Sequence, residues 1–103
     1  MFRGKRILVT GCYGFVGRHL LQAIEKTDAA VSAIDFQMGC DLSIWEQAKN
    51  IERFDIVFHL AARTYVPDSH KYPLDFYSNN ILSTLHLLEL CRLYNAKIIF
   101  LII

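Results

Sequence analysis

The chain has 103 residues, and its 11 Lys and Arg against 10 Asp and Glu give a formal net charge of +1, while 53% of the residues are hydrophobic. This length predicts one soluble globular domain at most. The near-neutral balance, without a basic cluster, argues against nucleic acid or an anionic membrane as a partner. The longest apolar run, residues 98–103, is far shorter than the roughly 20 residues of a membrane-spanning helix.

The amino end favours a cytoplasmic location, and the cysteines and histidines give no sign of disulfides or a metal site. Only three apolar residues, 7–9, follow the basic amino end, which is too short for the apolar region of a signal peptide. Cys12, Cys40 and Cys91 show neither disulfide-framework nor zinc-ligand spacing, so we predict reduced thiols. The four histidines are not paired at metal-ligand spacing, and we expect structural or surface roles and no metal site.

The first third of the chain predicts a strand, a helix and a second strand. Arg6–Thr10 is an apolar, β-branched run typical of a strand buried on both faces of a parallel sheet. Residues 15–26 have helical apolar spacing, and residues 30–35 form a second apolar run that ends in Asp35. Together they complete a βαβ unit of about 30 residues.

The next connection is short. Five residues, 36–40, separate Asp35 from Asp41, whereas a parallel crossover needs a dozen or more, so we expect a loop or a rudimentary edge strand. Ser43 and Glu46 then form a Ser-x-x-Glu capping box, which predicts a short helix to about residue 50.

The remaining elements continue the alternation of strands and helices. Residues 54–60 predict a buried strand, and residues 63–73 a polar loop. A long helix is expected from Pro73 to Tyr94, with apolar residues at helical spacing and Asn95 as its C-cap. Those apolar residues are Leu74, Tyr77, Ile81, Leu85, Leu88 and Cys91. Residues 97–103 predict a last apolar strand.

Three glycines between the first strand and the first helix carry the main functional signal. Gly11 permits a tight turn, Gly14 allows phosphates to approach the main chain, and Gly17 allows close helix packing. The amides and dipole of the helix start would supply an anion site. A P-loop is excluded because no Gly-Lys-Ser/Thr follows the glycines. The pattern predicts dinucleotide binding.

Asp35 refines that prediction. It lies 24 residues after Gly11, at the tip of the second strand, where a carboxylate can accept hydrogen bonds from both hydroxyls of the adenosine ribose. It would also repel a 2′-phosphate, and no arginine occupies residues 36–38 to receive one. NAD is therefore favoured over NADP. The alternative is that Asp35 is a solvated loop acid.

Four motifs in order cover nearly the whole chain and resemble the extended short-chain dehydrogenase/reductase family, the NAD-dependent nucleotide-sugar epimerases and dehydratases. The motifs are Thr10-Gly11-x-x-Gly14-Phe15-Val16-Gly17, Asp41-Leu42, His59-Leu60-Ala61-Ala62, and Pro73-Leu74-x-Phe76-Tyr77-x-Asn79-Asn80-Ile81-x-Ser83-Thr84-Leu85. The resemblance implies an α/β fold, a partial Rossmann-like doubly wound parallel sheet truncated after the fifth strand. Residues 1–103 would be one incomplete NAD-binding domain without the substrate domain.

The resemblance also implies cofactor-binding roles for individual residues. Asp41 would bond the adenine amino group, Leu42 would meet the adenine edge through its backbone, and Thr64 would lie near the nicotinamide ribose. Asn79 would contact the cofactor, or else be a surface helix residue. The full set is Gly11, Gly14, Phe15, Val16, Gly17, Asp35, Phe36, Asp41, Leu42, Leu60, Ala61, Ala62, Thr64 and Asn79.

Several departures from the family pattern concern catalysis. Family members carry Ser or Thr after the fifth strand and a later Tyr-x-x-x-Lys, but here Ile102 and Ile103 stand at the first of these positions, and no tyrosine has a lysine four residues later. Ser83 replaces the glycine usual in the Asn-x-x-Gly-Thr motif. We therefore assign no catalytic residue and expect the chain alone to be inactive.

Three functional hypotheses follow. We favour the NAD-binding portion of a nucleotide-sugar epimerase or dehydratase, in which a full-length parent would bind the nucleotide sugar and could form an oligomer through the long helix. The second is a non-enzymatic module that binds NAD or docks a partner by strand addition. The third is a non-functional remnant that does not fold alone.

Overall fold

The fold is a parallel sheet with helices on both faces. The computed structural model describes residues 2–35, 38–60 and 73–100, and within them four parallel strands lie in the order β2-β1-β3-β4. The strands are β1 (Arg6–Thr10), β2 (Ala30–Ile34), β3 (Ile56–His59) and β4 (Lys97–Phe100), and the helices are α1 (Phe15–Glu25), α2 (Trp45–Ala48) and α3 (Pro73–Tyr94). The predicted α/β, doubly wound class is confirmed.

The alternation of side chains along the strands explains why both faces are covered. Ile7 and Val9 of β1 point to one face, where they pack with Ile24 of α1. Leu8 lies on the other face, in a cluster with Leu87 of α3. Because successive residues of a strand face opposite sides, an uninterrupted apolar run requires a helix layer on each side of the sheet.

Most predicted elements occur where the sequence indicates, with shorter strands. The second and third strands end at Ile34 and His59, and the third begins at Ile56. Residues 38–40 form a turn, which agrees with the loop interpretation and leaves four strands, rather than five, in the described ranges. Part of the chain lies outside the described residues, namely residues 36–37, 61–72 and 101–103. These ranges include most of the loop expected at residues 63–73 and the end of the last expected strand.

The capping-box prediction is wrong. The N-cap of α2 is Ile44, without a side-chain capping bond, and the helix is only four residues long. The Ser43 hydroxyl donates instead to Asp41 Oδ1 at 2.7 Å, and the Asp41 amide donates to Gln47 Oε1 at 2.7 Å. The Ser43 side chain is thus oriented back toward Asp41, and the Ser43 amide, which Glu46 would accept in a capping box, also donates to Asp41 Oδ1, at 3.0 Å.

Helix α3 occurs as predicted, but its most regular apolar stripe is not its buried face. Leu74, Ile81, Leu85 and Leu88 are exposed, and of the stripe residues with described side chains only Cys91 is buried. The helix packs on the sheet through other positions, namely Ser83, Leu87 and Leu90 together with Cys91. Among the described helices, none combines the length and apolar character needed to cross a membrane.

The carboxyl end of α3 confirms the predicted C-cap. Asn95 has a φ of 54°, and the Ala96 amide donates to the Cys91 carbonyl at 2.9 Å, the 6→1 bond of a Schellman motif. The Tyr94 hydroxyl donates to the Ile51 carbonyl at 2.6 Å. These bonds fix the direction in which the chain enters β4.

Replacing Asn95 tests this cap. In Asn95→Ala, a side chain less tolerant of the left-handed conformation should lower the free energy of unfolding by about 1 kcal/mol. Asn95→Gly serves as the control and should be at least as stable as the wild type, since glycine adopts this φ without steric cost. Denaturant unfolding of the three proteins gives the comparison, and equal losses for both variants would contradict the assignment.

Candidate functional site

The glycine-rich turn lies at the carboxyl edge of the sheet, between β1 and α1. Gly11 has a φ of 71°, and its amide donates to the Ile34 carbonyl at 2.9 Å. The Gly14 amide donates back to the Gly11 carbonyl at 3.1 Å. The turn is therefore closed on itself and attached to the end of β2.

Gly17 has no room for a side chain. It is buried, and a Cβ built there would overlap the Gly11 carbonyl oxygen and lie 2.9 Å from the Gly11 carbonyl carbon. Both obstacles are backbone atoms, which cannot rotate away as the end of a side chain can. Gly17 therefore allows α1 to approach the turn closely, as predicted.

Gly14 differs from Gly17. It is exposed, and a Cβ there would lie 3.4 Å from the Gly11 carbonyl oxygen, an ordinary van der Waals contact. Its φ of −71° is open to any residue. Nothing in the described structure around Gly14 demands glycine, so the bare backbone there is available to a group from outside.

Helix α1 begins directly beside that exposed backbone. The first-turn amides of a helix have no partner within the helix, and Gly14 caps α1 without a side-chain bond. The first turn of α1, which is described completely, contains no acidic residue. Phe15 is 72% exposed and its ring lies 4.6 Å from that of His19, whereas Val16 is half-buried. The helix start thus favours an anion.

Asp35 lies against the same turn. It follows β2 and is half-buried, and its Oδ2 accepts a hydrogen bond from the Tyr13 amide at 3.1 Å. Burial, and then the charge of Asp35, raise the pKa of the Cys12 thiol, which lies 3.8 Å from the Met38 sulfur. The three cysteines are free in the structure, and the raised pKa makes Cys12 a neutral thiol near pH 7.

Asp41 and Leu42 lie on the segment that leads into α2. The Asp41 carboxylate accepts hydrogen bonds from both the amide and the hydroxyl of Ser43. Leu42 is buried, and its carbonyl is 2.6 Å from Nδ1 of His86, which must be the donor because a carbonyl only accepts. The bonds of these two residues therefore organise their own segment.

The carboxyl end of β3 is joined to that of β1. Thr10 and His59 are paired across the two strands, and the Thr10 hydroxyl lies 2.8 Å from His59 Nδ1. The Leu60 amide donates to the same hydroxyl at 2.9 Å. Burial lowers the pKa of His59 to about 4. His59 is therefore neutral near pH 7, in keeping with the structural role expected from the sequence.

The described residues do not include every predicted site position. Phe36, Ala61, Ala62 and Thr64 lie outside them, and Asn79 lies in α3 with its side chain outside the described part. Across residues 2–35, 38–60 and 73–100, no group of three or more His, Cys, Asp or Glu side chains could hold a metal ion.

Sequence reasoning missed the contacts that connect the site residues. The amide of Tyr13, an x position of the glycine pattern, holds Asp35, and the hydroxyl of Thr10 joins β1 to β3. The period-2 alternation of strands could have placed Thr10 and His59 on one face of the sheet. Their pairing joins residues 49 positions apart, for which no local pattern gives a signal.

Comparisons with known proteins agree with this geometry. The family model described as the NAD dependent epimerase/dehydratase family matches residues 7–102. A dTDP-D-glucose 4,6-dehydratase of Dictyostelium discoideum is 33% identical, with 90% of this chain aligned to 27% of the relative. A UDP-glucose 4-epimerase of Caenorhabditis elegans is 31% identical over 88% of this chain and 35% of the relative. The chain thus spans between about a quarter and about a third of the length of these relatives.

Solved structures give the same result. The Thermus thermophilus UDP-glucose 4-epimerase in complex with NAD is 28% identical and superimposes with a TM-score of 0.80, covering 90% of this chain and 36% of that one. Another structure with this fold is a complex with NADP. The family model that matches residues 7–102 of this chain is itself described as NAD dependent.

Two alanine substitutions distinguish the roles of the glycines. In Gly17→Ala, the new methyl group would meet the Gly11 carbonyl, so we expect a loss of about 1–3 kcal/mol in the free energy of unfolding. Gly14→Ala, where the methyl group has room, is the control and should unfold within about 0.5 kcal/mol of the wild type. Urea unfolding measures both, and a fully stable Gly17→Ala would contradict the close approach.

The neutral state of His59 predicts a pH dependence of stability. Because its pKa is about 4 in the folded chain and about 6.5 when unfolded, the unfolded state binds more protons between these values. Stability should therefore fall as the pH drops from 6.5 toward 4, by up to about 1.4 kcal/mol per pH unit.

This dependence can be measured by urea unfolding between pH 7.5 and 4.5. The exposed His19→Gln variant is the control and should keep the same dependence, whereas His59→Asn should have a shallower one. Equal slopes for the wild type and His59→Asn would show that another group is responsible.

Proposed function

The chain belongs to the NAD-dependent epimerase/dehydratase family, and we propose that it binds NAD at the carboxyl edge of its sheet, as the cofactor-binding portion of a nucleotide-sugar epimerase or dehydratase. The observation that carries the proposal is the exposed backbone of Gly14 at the start of α1, beside Asp35. This arrangement combines an anion site with a carboxylate suited to a ribose.

The pyrophosphate of NAD would lie against Gly14. A side chain at that position would occupy the space above the turn, although the turn itself would tolerate it. The first-turn amides of α1 supply donors, and the helix dipole favours negative charge. No basic side chain is required for this contact.

The adenosine ribose would bind Asp35. A carboxylate can accept several hydrogen bonds at once, so the bond from the Tyr13 amide is compatible with bonds from the ribose hydroxyls. The same bond holds the carboxylate against the turn that receives the pyrophosphate. A 2′-phosphate would be repelled by this charge, which is why we propose NAD rather than NADP.

The remaining contacts follow the family motifs. Asp41 would bond the adenine amino group, and Leu42 would present its backbone amide to the adenine, because its carbonyl is bonded to His86. Leu60 would line the cofactor at the end of β3. We propose the same for the family positions outside the described residues or with an undescribed side chain, namely Phe36, Ala61, Ala62, Thr64 and Asn79.

The role of the chain in the reaction is to bind and orient. NAD, when bound, supplies the hydride chemistry by which a sugar hydroxyl is transiently oxidised. The chain has no Tyr-x-x-x-Lys, so we propose that it does not turn over a nucleotide sugar on its own, and that a full-length parent would. We further propose a cytoplasmic location.

Assembly of such a parent would use α3. Leu74, Ile81, Leu85 and Leu88 are exposed apolar side chains of this helix, and a group of exposed apolar residues is typical of an interface. We propose that the parent dimerises through this face.

Amide NMR spectra of the chain with and without NAD test folding and binding together. We expect dispersed peaks, with NAD-induced shifts concentrated at residues 11–17, 35 and 41. Gly14→Ala should fold and lose these shifts. A dispersed spectrum that NAD leaves unchanged would contradict the proposal, and a collapsed spectrum would favour a remnant that does not fold alone.

Neutralising Asp35 should change the choice of cofactor. In Asp35→Asn, the amide oxygen can still accept the Tyr13 bond, but the repulsion of a 2′-phosphate is removed, so NADP binding should strengthen by about tenfold relative to NAD. Asp28→Asn, an exposed acid in the turn after α1, is the control for net charge. Calorimetric titration measures the four affinities, and an unchanged ratio in Asp35→Asn would refute the assigned role.

A further inference from the structure

His59 is the most deeply buried titratable side chain at the carboxyl edge of the described sheet. It is 1% exposed and lies in a row across three strands, paired with Thr10 of β1 and with Phe100 of β4. The Phe100 ring meets the imidazole edge-on, with centroids 5.2 Å apart. Helix α3 covers this face of the sheet.

Both imidazole nitrogens of His59 have partners on other elements. Nδ1 is 2.8 Å from the Thr10 hydroxyl, and Nε2 is 3.4 Å from the hydroxyl of Thr84 on α3. The Thr10 hydroxyl also accepts the Leu60 amide. One imidazole therefore links β1, β3 and α3 at the end where the proposed NAD site lies.

Among residues 2–35, 38–60 and 73–100, the groups found in contact with His59 carry no charge. They are the Thr10 hydroxyl from β1, the Thr84 hydroxyl from α3 and the Phe100 ring from β4. Burial lowers the imidazole pKa, so one nitrogen donates and the other accepts. A neutral imidazole can link a donor on one side to an acceptor on the other.

The direction of the chain of hydrogen bonds follows from the Leu60 amide. That amide can only donate, so it donates to Thr10. If Thr10 donates onward to Nδ1, then Nε2–H donates to Thr84, and every bond runs in the same direction. Aligned hydrogen bonds polarise and strengthen one another, which favours the tautomer protonated at Nε2.

We propose that His59 is a positioning residue, which by joining Thr10 to Thr84 holds the carboxyl ends of β1 and β3 at a fixed distance from α3. This inference rests on the proposed NAD site, because the residues it positions border that site. Gly11 follows Thr10, Leu60 follows His59, and Asn79 precedes Thr84 by five residues on α3. A shift of the imidazole would change the width of the cofactor site between sheet and helix.

The first experiment does not require NAD. Nitrogen NMR of the ¹⁵N-labelled imidazole should show the Nε2–H tautomer, unchanged between pH 8 and pH 5.5, and the Leu60 amide should exchange slowly. In His59→Phe, which removes both bonds, Leu60 exchange should accelerate relative to the amides of β2. A His59 that protonates near pH 6.5, or the Nδ1–H tautomer, would overturn the proposed arrangement.

The second experiment separates positioning from simple stability. His59→Phe should weaken NAD binding by about tenfold, the equivalent of one lost buried hydrogen bond. His59→Asn retains an acceptor near the position of Nδ1 and should recover most of that affinity. Leu90→Ala, which removes a buried side chain of the hydrophobic cluster near the carboxyl end of α3, is the control that lowers stability.

The outcomes distinguish a residue that positions the NAD site from one that only stabilises the fold. If His59 positions the site, Leu90→Ala lowers the unfolding temperature but leaves the Kd for NAD of the folded protein within about threefold, while His59→Phe changes the Kd. Parallel losses in both variants would overturn the inference. Should His59→Phe not fold, Thr84→Val removes only the distal hydroxyl and should still weaken NAD binding, and wild-type affinity there would equally overturn it.

A failure of the proposed NAD binding would give a different set of results from a failure of the positioning role. A wild-type chain that folds but does not bind NAD would refute the NAD site, while the tautomer and the Leu60 exchange would still decide whether the imidazole joins the three elements.

Discussion

The contact between Gly17 and the Gly11 carbonyl determines how the rest of the site is arranged. Because no Cβ intervenes, α1 starts directly above the turn that ends β1, and its first amides face the edge of the sheet. The Gly11 amide of this turn donates to the Ile34 carbonyl of β2, and its Tyr13 amide donates to the Asp35 carboxylate. One close backbone approach thereby orients a helix, a strand end and a carboxylate relative to one another.

The short connection after Asp35 leaves more of the organisation to side chains. In place of a helical crossover, the segment 38–50 is held by the Asp41 carboxylate on Ser43, by Gln47 on the Asp41 amide and by His86 on the Leu42 carbonyl. The last of these bonds comes from α3. The segment that would meet adenine is therefore fixed by a helix more than 30 residues later in the chain.

The sequence allowed prediction of what depends on local pattern. The strands, α1, α3, the three glycines and the Asn95 cap follow from apolar period, turn chemistry and backbone freedom. The sequence could not indicate which of several possible partners a side chain would bind or pack against. Ser43 had both a capping role and Asp41 within reach, and the regular leucine stripe of α3 resembles a core face, although Leu87 and Leu90 occupy the core. The bond between Thr10 and His59 joins residues 49 positions apart and is therefore visible only in the folded sheet.

The strand order has a consequence for how the chain folds. Central strand β1 pairs with β2 about 24 residues later and with β3 about 49 residues later, so every sheet contact is non-local. High contact order slows folding because the chain must lose the entropy of loop closure before the stabilising contacts form. During synthesis the first βαβ unit would leave the ribosome with one edge of β1 unpaired until β3 follows, which makes that strand edge a natural target for a chaperone.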